Sequence, residues 1–346
     1  MFEEISLDSS GFKLLILLFY MCICLSCSTS NVRFLKNDED KKVDIYFGEN
    51  YFTSYLYPGN IAKQVLHPIV TASGKEITRG YPINPKPFER TDHPHHVGLW
   101  FDFGDVNGLD FWNNSPDIKP ENRSQYGTIK FREIVETDPG RGKLVTLSDW
   151  VDYNDKVLLN EVSTYIFKDR DGIRSIQRSI ELTAEIPVTF TENKEGLLGL
   201  RMDRAFEDAN EKSGRFLDSE GNATEIPVGD NGDANGIYRN AEGDRGGEVW
   251  GKRSPWVALR AEKEGEVITV VILDHPENPN YPGWSHTRGY GLFALNNFAG
   301  RAVDENAEPV KIELNPGEKM VLKYRTVIGG DLTDQQIMEI AKNFKK

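Results

Sequence analysis

Cysteine is scarce in this chain, with three residues among 346, all of them between positions 22 and 27. Cleavage before Cys27 would leave the rest of the chain without a pair for a disulfide, a thiol nucleophile or a zinc–thiolate site. Glycine-rich loops with phosphate-binding spacing are absent, and so is a Gly-x-Ser-x-Gly elbow. These absences exclude thiol enzymes, P-loop and dinucleotide-binding enzymes, and α/β-hydrolases.

Positive charge is also scarce. The chain has 41 lysines and arginines and 54 acidic residues, which gives a formal net charge of −13. An acidic surface repels nucleic acid and anionic membranes, so neither is an expected partner. A local group of arginine and histidine side chains can still attract a carboxylate or a sulfate. Hydrophobic residues make up 38% of the chain, which is enough to bury a core.

Residues 1–26 have the features of an export signal. The apolar run 14–25 is shorter than the roughly 20 residues of a membrane span and has the length of a signal-peptide core. A serine and then Cys27 follow, which resembles a lipobox, although Cys24 stands where leucine is usual. We therefore expect a lipoprotein signal peptide, lipidation of Cys27 and a polar tether over residues 27–42. An unlipidated cleaved signal and an uncleaved anchor are the alternatives.

The residues that follow Cys27 are neutral rather than acidic. Acidic residues at this point are a surface-export cue in one bacterial phylum. We therefore expect a periplasmic protein of a Gram-negative bacterium, held on the outer membrane through its lipid anchor only.

Strand signals dominate the rest of the chain. Segments with period-two alternation are separated by turn sequences such as Asp138-Pro139-Gly140 and Asn315-Pro316-Gly317. Strands are predicted over residues 43–47, 51–57, 128–136, 143–153, 156–167, 172–185, 256–261, 266–273, 292–297, 310–314 and 319–328. Long strands without intervening helical periods favour antiparallel packing. We therefore predict an all-β fold, a large antiparallel β-sandwich formed by residues 43–346 as a single catalytic domain.

A single helix is predicted at the C-terminus, after the capping box of residues 333–336. Its apolar face consists of Ile337, Ile340, Ala341 and Phe344. Two stretches, 67–114 and 205–250, do not read as strands. Loops of this length inside a compact domain are usually functional or disordered, so we expect the site to be built there.

The strongest candidate for chemistry is the segment 90–96, RTDHPHH. In an extended backbone, His93 and His95 would point to the same side. Two neighbouring imidazoles suit acid–base catalysis or metal binding. Asp92 is expected to orient a ring nitrogen, and Arg90 to bind an anionic substrate group. A structural loop is the alternative. No ligand of a second type follows at a fixed spacing, so no cofactor is predicted and a divalent metal stays an open possibility.

Aromatic residues follow this segment directly. Trp100 and Phe101 fit a core strand, whereas Trp112 lies among turn residues and is expected to contact a sugar face.

A second group of candidates follows the predicted strand 266–273. His275 and His286 are expected to act as catalytic residues, and Arg288 to bind an anion. The alternative is that Asp274 and His275 only hold this loop through hydrogen bonds.

Two further arginines are candidates for substrate binding. Arg201 lies in a strand-like run with one charged side, and it either lines the pocket or lies on the surface. Arg253 lies in a basic segment between Trp250 and Trp256, where it either faces a substrate anion or packs at a loop edge.

Several blocks of the sequence resemble, in order, the bacterial PmoA-like family. They are RTDHPHH with GLW at 90–100, GDVNG with DFW at 104–112, EGLLGLR at 195–201, WGKRS at 250–254, DHP at 274–276 and YGL at 290–292. The resemblance covers about residues 43–327 and implies a large sugar-processing β-sandwich. It also implies a role in polysaccharide utilisation, including elimination of water from sugar-acid oligosaccharides. The family label refers to methane oxygenation, but the membrane methane monooxygenase subunit crosses the bilayer repeatedly and this chain has no predicted span after residue 26.

These observations lead to a first hypothesis, a hydro-lyase acting on oligosaccharides with a terminal uronic acid, such as those from ulvan-like algal polysaccharides. Elimination needs a cation on the carboxylate, a base and an acid. The cation is expected among Arg90, Arg201 and Arg288, the base is His93 or His95, and the acid is His275, His286 or a tyrosine. A glycoside hydrolase using paired carboxylates, for which Asp92, Asp102 and Asp105 are available, and an epimerase stay open. The second hypothesis is a non-catalytic glycan-binding lipoprotein.

Overall fold

A computed structural model describes residues 32–211, 214–226 and 234–345, so the predicted export segment and Cys27 lie outside the described residues. The strands in this part of the chain are β1 (Val32–Asn37), β2 (Lys42–Phe47), β3 (Asn50–Leu56), β4 (Val65–Ile69), β5 (Leu99–Phe103), β6 (Thr128–Asp138), β7 (Lys143–Val151), β8 (Val157–Arg170), β9 (Ile173–Ala184), β10 (Val188–Thr191), β11 (Gly196–Arg201), β12 (Gly214–Leu217), β13 (Ala223–Ile226), β14 (Ile237–Asn240), β15 (Trp256–Lys263), β16 (Glu266–Asp274), β17 (Trp284–Arg288), β18 (Leu292–Asn296), β19 (Lys311–Leu314) and β20 (Lys319–Gly329). The α-helix α1 spans Asp334–Phe344, and short 3₁₀ helices lie at Pro120–Gln125, Arg204–Phe206, Gly246–Val249 and Gly300–Ala302.

The strands form two large antiparallel sheets. Sheet I has the order β1-β2-β3-β4-β5-β11-β18-β17, and sheet II has the order β14-β15-β16-β20-β9-β8-β7-β6. Two small sheets, β10-β19 and β12-β13, are added to them. Buried and half-buried residues alternate strictly along β9. This alternation produces the period-two sequence pattern from which the strands of sheet II were predicted. The predicted antiparallel β-sandwich with long loops and a C-terminal helix is confirmed.

The main core lies between the two sheets. Phe101 of sheet I contacts Trp150 and Tyr324 of sheet II, with ring centroids 6.1 and 6.4 Å apart. All three side chains are fully buried. Burial of one large apolar side chain stabilises the fold by about 1.5–3 kcal/mol, so this aromatic contact is a substantial part of the force that holds the sheets face to face.

Helix α1 covers the outer face of sheet II. Its capping box is formed as predicted, because Thr333 Oγ1 accepts from the Gln336 backbone and the Gln336 side chain accepts from Thr333 N. Ile337 and Phe344 are buried in a second apolar cluster with Trp256 and other residues of the sheet. Within the part of the chain that the structure describes, no helix is long and apolar enough to cross a membrane.

Two predictions about the chain organisation were wrong. The tether does not extend to residue 42, because Val32–Asn37 pairs along its length with β2 as the edge strand of sheet I. The stretch 67–114 is not only loop, since it contains β5, and 205–250 contains β12, β13 and β14. Every residue of β5 is buried, so the alternation that marks a half-exposed strand is missing there.

Candidate functional site

The face of sheet I that points away from the core carries a row of side chains from four neighbouring strands. Cross-strand pairing places side by side Trp100 (β5), Gly199 (β11), Ala294 (β18) and His286 (β17). Phe101 points into the core, so its neighbour Trp100 points outward, and directly paired residues share its face. The next row on this face consists of Arg201, Leu292 and Arg288.

Gly199 allows the Trp100 indole to lie flat on strand β11. A Cβ atom at position 199 would lie 2.3 Å from the indole ring, which is far below van der Waals contact. Any side chain at this position would therefore displace Trp100, and glycine is required by this close approach rather than by its backbone angles.

The loop that carries the histidines is a tight turn. His93 has a left-handed backbone with φ +44°, and His96 N donates to His93 O at 3.0 Å. The expectation of an extended segment with His93 and His95 on the same side is therefore wrong. The turn instead gathers all three imidazoles, with ring centroids of His95 and His96 4.3 Å apart.

Four rings stack into a column that runs from the sheet to the surface. Tyr290 stacks on His93 at 4.9 Å, His93 on His96 at 4.8 Å, and His96 on Trp100 at 5.3 Å, with interplanar angles of 10°, 2° and 16°. Trp100 and His96 are buried, whereas 39% of the His93 side chain is exposed. We call these four residues the ring column, and His93 is its most accessible imidazole.

Trp112 completes the buried part of this cluster. Its ring meets His96 edge-on at 5.6 Å and stacks on His286 at 6.0 Å. Trp112 has no exposed surface. This corrects the expectation that Trp112 offers a free face to a sugar; it supports two imidazoles instead.

Asp92 joins two buried arginines under the histidine turn. Its Oδ1 atom accepts from Arg201 Nη2 at 2.5 Å and from Arg79 Nη1 at 2.8 Å, and its Oδ2 lies 3.4 Å from His93 Nδ1. The charge of Arg201, with that of Arg79, holds the pKa of Asp92 well below its usual range despite burial. Arg79 also donates to the backbone carbonyls of His93 and His96. Arg79 thus fixes the shape of the turn, and nothing in the local sequence marks it as part of the site.

Arg201 also sets the tautomer of His96. Its Nη1 atom lies 3.3 Å from His96 Nδ1, and a guanidinium can only donate. His96 Nδ1 therefore accepts, and the ring proton is on Nε2. Seven buried nitrogens of the cluster have no hydrogen-bond partner in the described structure: Arg79 Nε, His93 Nδ1, His95 Nε2, His96 Nε2, Trp112 Nε1, Arg201 Nε and His286 Nδ1.

Burial keeps most imidazoles of the cluster neutral. It lowers the pKa of His95 to about 2 and that of His286 to about 3, and it holds the pKa of His96 well below the usual range. Burial also raises the pKa of Tyr290 to about 12, so its hydroxyl stays protonated at neutral pH. The cluster at neutral pH therefore combines neutral rings with a phenol donor.

A buried ion pair lies beneath the rings. Lys63 Nζ donates to Asp102 Oδ2 at 2.5 Å and to the Trp112 carbonyl at 3.1 Å, and Asp102 Oδ1 accepts from Trp100 Nε1 at 3.1 Å. Burial raises the pKa of Asp102 to about 7, against the opposing charge of Lys63. This pair anchors the base of the ring column. Nothing in the local sequence around Lys63 marked it, because its partner is 39 residues away.

Arg288 is the cation of this face that is least committed to other groups. Its guanidinium lies 4.7 Å from the Trp250 ring and donates to the Thr287 carbonyl. Among the described residues, no carboxylate lies within ion-pair distance of it. In its row Leu292 lies between it and Arg201, and along β17 it is two residues from His286.

The family follows from a comparison with family models. Residues 42–342 match DUF6807, described as a family of unknown function. The chain belongs to the DUF6807 family. This finding overturns the resemblance to the PmoA-like family. A comparison with curated proteins gave no match.

Solved structures similar to this DUF6807 member include three carbohydrate enzymes. A GH36 α-galactosidase from Geobacillus stearothermophilus, in complex with raffinose, has a TM-score of 0.39 and 12% identity over 86% of this chain and 40% of its own. A galactose mutarotase related enzyme from Lactobacillus acidophilus has a TM-score of 0.33 and 10% identity, covering 88% and 98%. A putative aldose 1-epimerase from Escherichia coli has a TM-score of 0.32 and 8% identity, covering 87% and 97%. The chain thus spans two fifths of the galactosidase.

Arg90 is committed to a structural ion pair. It is buried, its Nε donates to Glu207 at 2.7 Å, and its guanidinium lies 4.6 Å from the Phe216 ring. This corrects the expectation that Arg90 binds a substrate anion, because its charge already has a buried partner.

His275 does not join the other histidines. It lies at the end of β16 in sheet II, where its ring meets Phe344 of α1 edge-on at 4.9 Å and its Nδ1 accepts from Glu277 N. Asp274 holds the same loop by accepting from Gly283 N and Asn297. The catalytic expectation for His275 is therefore corrected in favour of the structural alternative.

Arg253 lies away from the imidazoles. It packs 4.5 Å from the Trp284 ring and donates to the carbonyls of Asn280 and Pro282. These contacts place Arg253 at a loop edge, one of the two alternatives predicted for it, and none of them is with an imidazole. The described residues contain no group of three or more His, Cys, Asp or Glu side chains arranged to hold a metal ion.

Proposed function

We propose that this protein is a hydro-lyase that removes water from the terminal uronic acid of an oligosaccharide. The observation that carries the proposal is the accessible imidazole of His93, placed among neutral buried rings, a protonated tyrosine and an uncommitted arginine. This arrangement supplies a base, an acid and a cation within one cluster, which are the three groups that elimination next to a carboxylate requires.

His93 is the proposed base. It has 39% of its side chain exposed, whereas burial keeps the pKa of His95 at about 2, which makes that ring a very weak base. Asp92 Oδ2 lies 3.4 Å from His93 Nδ1, where it can orient the ring. His95 and His286 are proposed to contact the substrate as neutral rings rather than to carry the proton.

Tyr290 is the proposed acid, and Arg288 the proposed carboxylate receptor. Tyr290 stacks on His93, so its hydroxyl belongs to the same face as the base. Arg201 lies 4.8 Å from the Tyr290 ring and adds a second positive charge. A cation on the carboxylate stabilises the negative charge that develops as the neighbouring C–H bond breaks.

The proposed reaction balances without a further reagent. His93 takes the proton from the carbon next to the carboxylate, and the C–H electron pair forms a double bond to the next carbon. The hydroxyl on that carbon leaves with a proton from Tyr290, as water. Proton exchange with solvent then restores neutral His93 and the Tyr290 phenol.

A glycosidase fits less well. Two-carboxylate hydrolysis needs an acid and a base or nucleophile that are free to reach the glycosidic bond. Asp92 is held by Arg201 and Arg79, and Asp102 is buried against Lys63. Asp92 and Asp102 are therefore both committed to cations.

The test is incubation of the purified protein with oligosaccharides that end in a uronic acid. Elimination lowers the product mass by one water and creates ultraviolet absorbance, because the new double bond is conjugated with the carboxylate. A hydrolase would instead give smaller sugars without absorbance. A glycan-binding protein would bind the ligand and leave its mass and its absorbance unchanged.

We also propose, from the sequence, that the protein is exported and anchored in the periplasm through lipid on Cys27. Metabolic labelling with a fatty acid should mark the wild type and leave Cys27→Ala unlabelled. A labelled Cys27→Ala protein, or an unlabelled wild type, would overturn the anchor.

A further inference from the structure

A cavity of about 200 Å³ lies at the first residue of β17, at the edge of sheet I. Its lining includes Arg253, Asn280, Trp284, Asp304, Glu308 and Val310. Trp284 and His286 are two residues apart on β17, so they share a face of the sheet and their Cα atoms are about 7 Å apart. The cavity is thus the immediate neighbour of the imidazole cluster along the strand.

Arg253 is held rigidly at this cavity. Its Nε and Nη2 atoms each donate to a backbone carbonyl at 2.8 Å, and its planar group lies 4.5 Å from the Trp284 ring. The remaining nitrogen, Nη1, has no ion-pair partner among the described residues. A donor that is fixed before binding loses little conformational entropy when a ligand arrives.

The charges around the cavity select an uncharged, hydroxyl-rich ligand. Asp304 and Glu308 are exposed at the same cavity as Arg253, and none of the three pairs with another there. The two acids outnumber the one arginine, so they disfavour a carboxylate ligand, whereas Arg253 offers a donor to a neutral oxygen. Sugar hydroxyls both donate and accept, so they satisfy both kinds of group. The cavity is smaller than the roughly 300–1,000 Å³ of whole drug-sized ligand sites, which fits one sugar unit.

We propose that the cavity between Arg253, Trp284 and Glu308 binds the neutral sugar unit next to the one that reacts. This inference rests on the proposed function, since it places the reacting unit at His93 and His286. It also gives Arg253 a role in binding substrate at a position separate from the imidazoles.

The experiment measures binding to the inactive His93→Gln protein by titration calorimetry. The two probes are a uronic acid monosaccharide and a disaccharide in which that acid is linked to a neutral sugar. Adding Arg253→Ala or Glu308→Gln should weaken disaccharide binding at least tenfold and threefold, respectively, with monosaccharide binding changed less than twofold. Glu308→Gln keeps the shape of the side chain, so it guards against a loop disturbed by loss of Arg253.

Arg260→Ala is the matched control, because Arg260 is an arginine of sheet II that pairs with Asp331. It should leave both affinities unchanged. Equal binding of the disaccharide by all variants, or an equal loss for both probes, overturns the subsite. If the wild type eliminates water but Arg253→Ala and Glu308→Gln bind the disaccharide normally, only the subsite is rejected. If those two variants weaken disaccharide binding but the wild type does not eliminate water, the hydro-lyase is rejected and the subsite is retained.

Discussion

The outer faces of the two sheets both carry histidine and tryptophan, but they use them in opposite ways. On sheet II, His275 packs against Phe344, accepts a backbone hydrogen bond and is covered by helix α1. On sheet I, none of the helices in residues 32–211, 214–226 and 234–345 covers the rings, and His95, His96 and Trp112 have buried nitrogens without partners in the same residues. An unpaired buried polar group lowers the stability of the fold by about 1–3 kcal/mol. The side chains on the outer face of sheet II therefore stabilise the fold, whereas those on the outer face of sheet I include destabilising groups. The two faces carry the same residue types and differ in the groups that those residues contact.

The largest expected effect is on stability, at the face covered by the helix. Phe344→Ala should lower the free energy of unfolding by about 3–5 kcal/mol, because it removes a buried aromatic side chain and leaves a cavity. Chemical denaturation measures the loss. The rate of elimination by the remaining folded protein should be unchanged, and a parallel loss of rate would break the separation between the two faces.

The next effect is on catalysis, at the open face. His93→Gln should reduce the rate of elimination at least 100-fold, equivalent to about 2.7 kcal/mol, because it removes the base. His275→Gln is the matched control and should retain the rate within twofold. The appearance of ultraviolet absorbance measures both. Equal loss in the two variants would show that the assignment of functional and structural histidines is wrong.

A third effect is the pH dependence of stability. The pKa of His286 is lowered to about 3 in the folded state by burial, so the unfolded chain binds more protons at pH below about 6.5. The contribution of neutral His286 is therefore fully present above pH 6.5 and is lost as the pH falls. Between pH 6.5 and 5 this amounts to roughly 2 kcal/mol. His286→Gln should flatten the decline of the unfolding free energy over this range, and an unchanged slope would contradict the burial of a neutral ring.

The smallest effect is at the start of α1. Thr333→Ala removes the cap and should cost about 1 kcal/mol of unfolding free energy without changing the rate. Thr333→Ser, which keeps the hydroxyl, should retain most of the stability. Thermal unfolding of the two variants compares them, and equal melting temperatures would show that the cap adds nothing.

The sequence predicted features that depend on near neighbours. The alternation along β9 and the capping box at Thr333 are local patterns, and both are present in the structure. The prediction of strands failed for β5, because both faces of this strand are buried and its sequence therefore lacks the alternation of polar and apolar residues. His275 was also predicted to lie with the other histidines, because position after a strand does not reveal which sheet that strand joins.

The candidate site was predictable only in part for the same reason. The segment around His93 stood out by composition, but the partners that shape it come from distant parts of the chain. Lys63 and Arg79 reach the cluster through tertiary contacts with Asp102 and Asp92. No local spacing encodes those contacts, so both residues became visible only in the folded structure.

The ring column has an optical consequence. Trp100 is its innermost member, and the rings of His96, His93 and Tyr290 follow one another outward from it. An indole in contact with a stack of imidazoles emits light that depends on the protonation and spacing of those imidazoles. We therefore expect a molecule that binds on the outermost rings to change the fluorescence emission of Trp100.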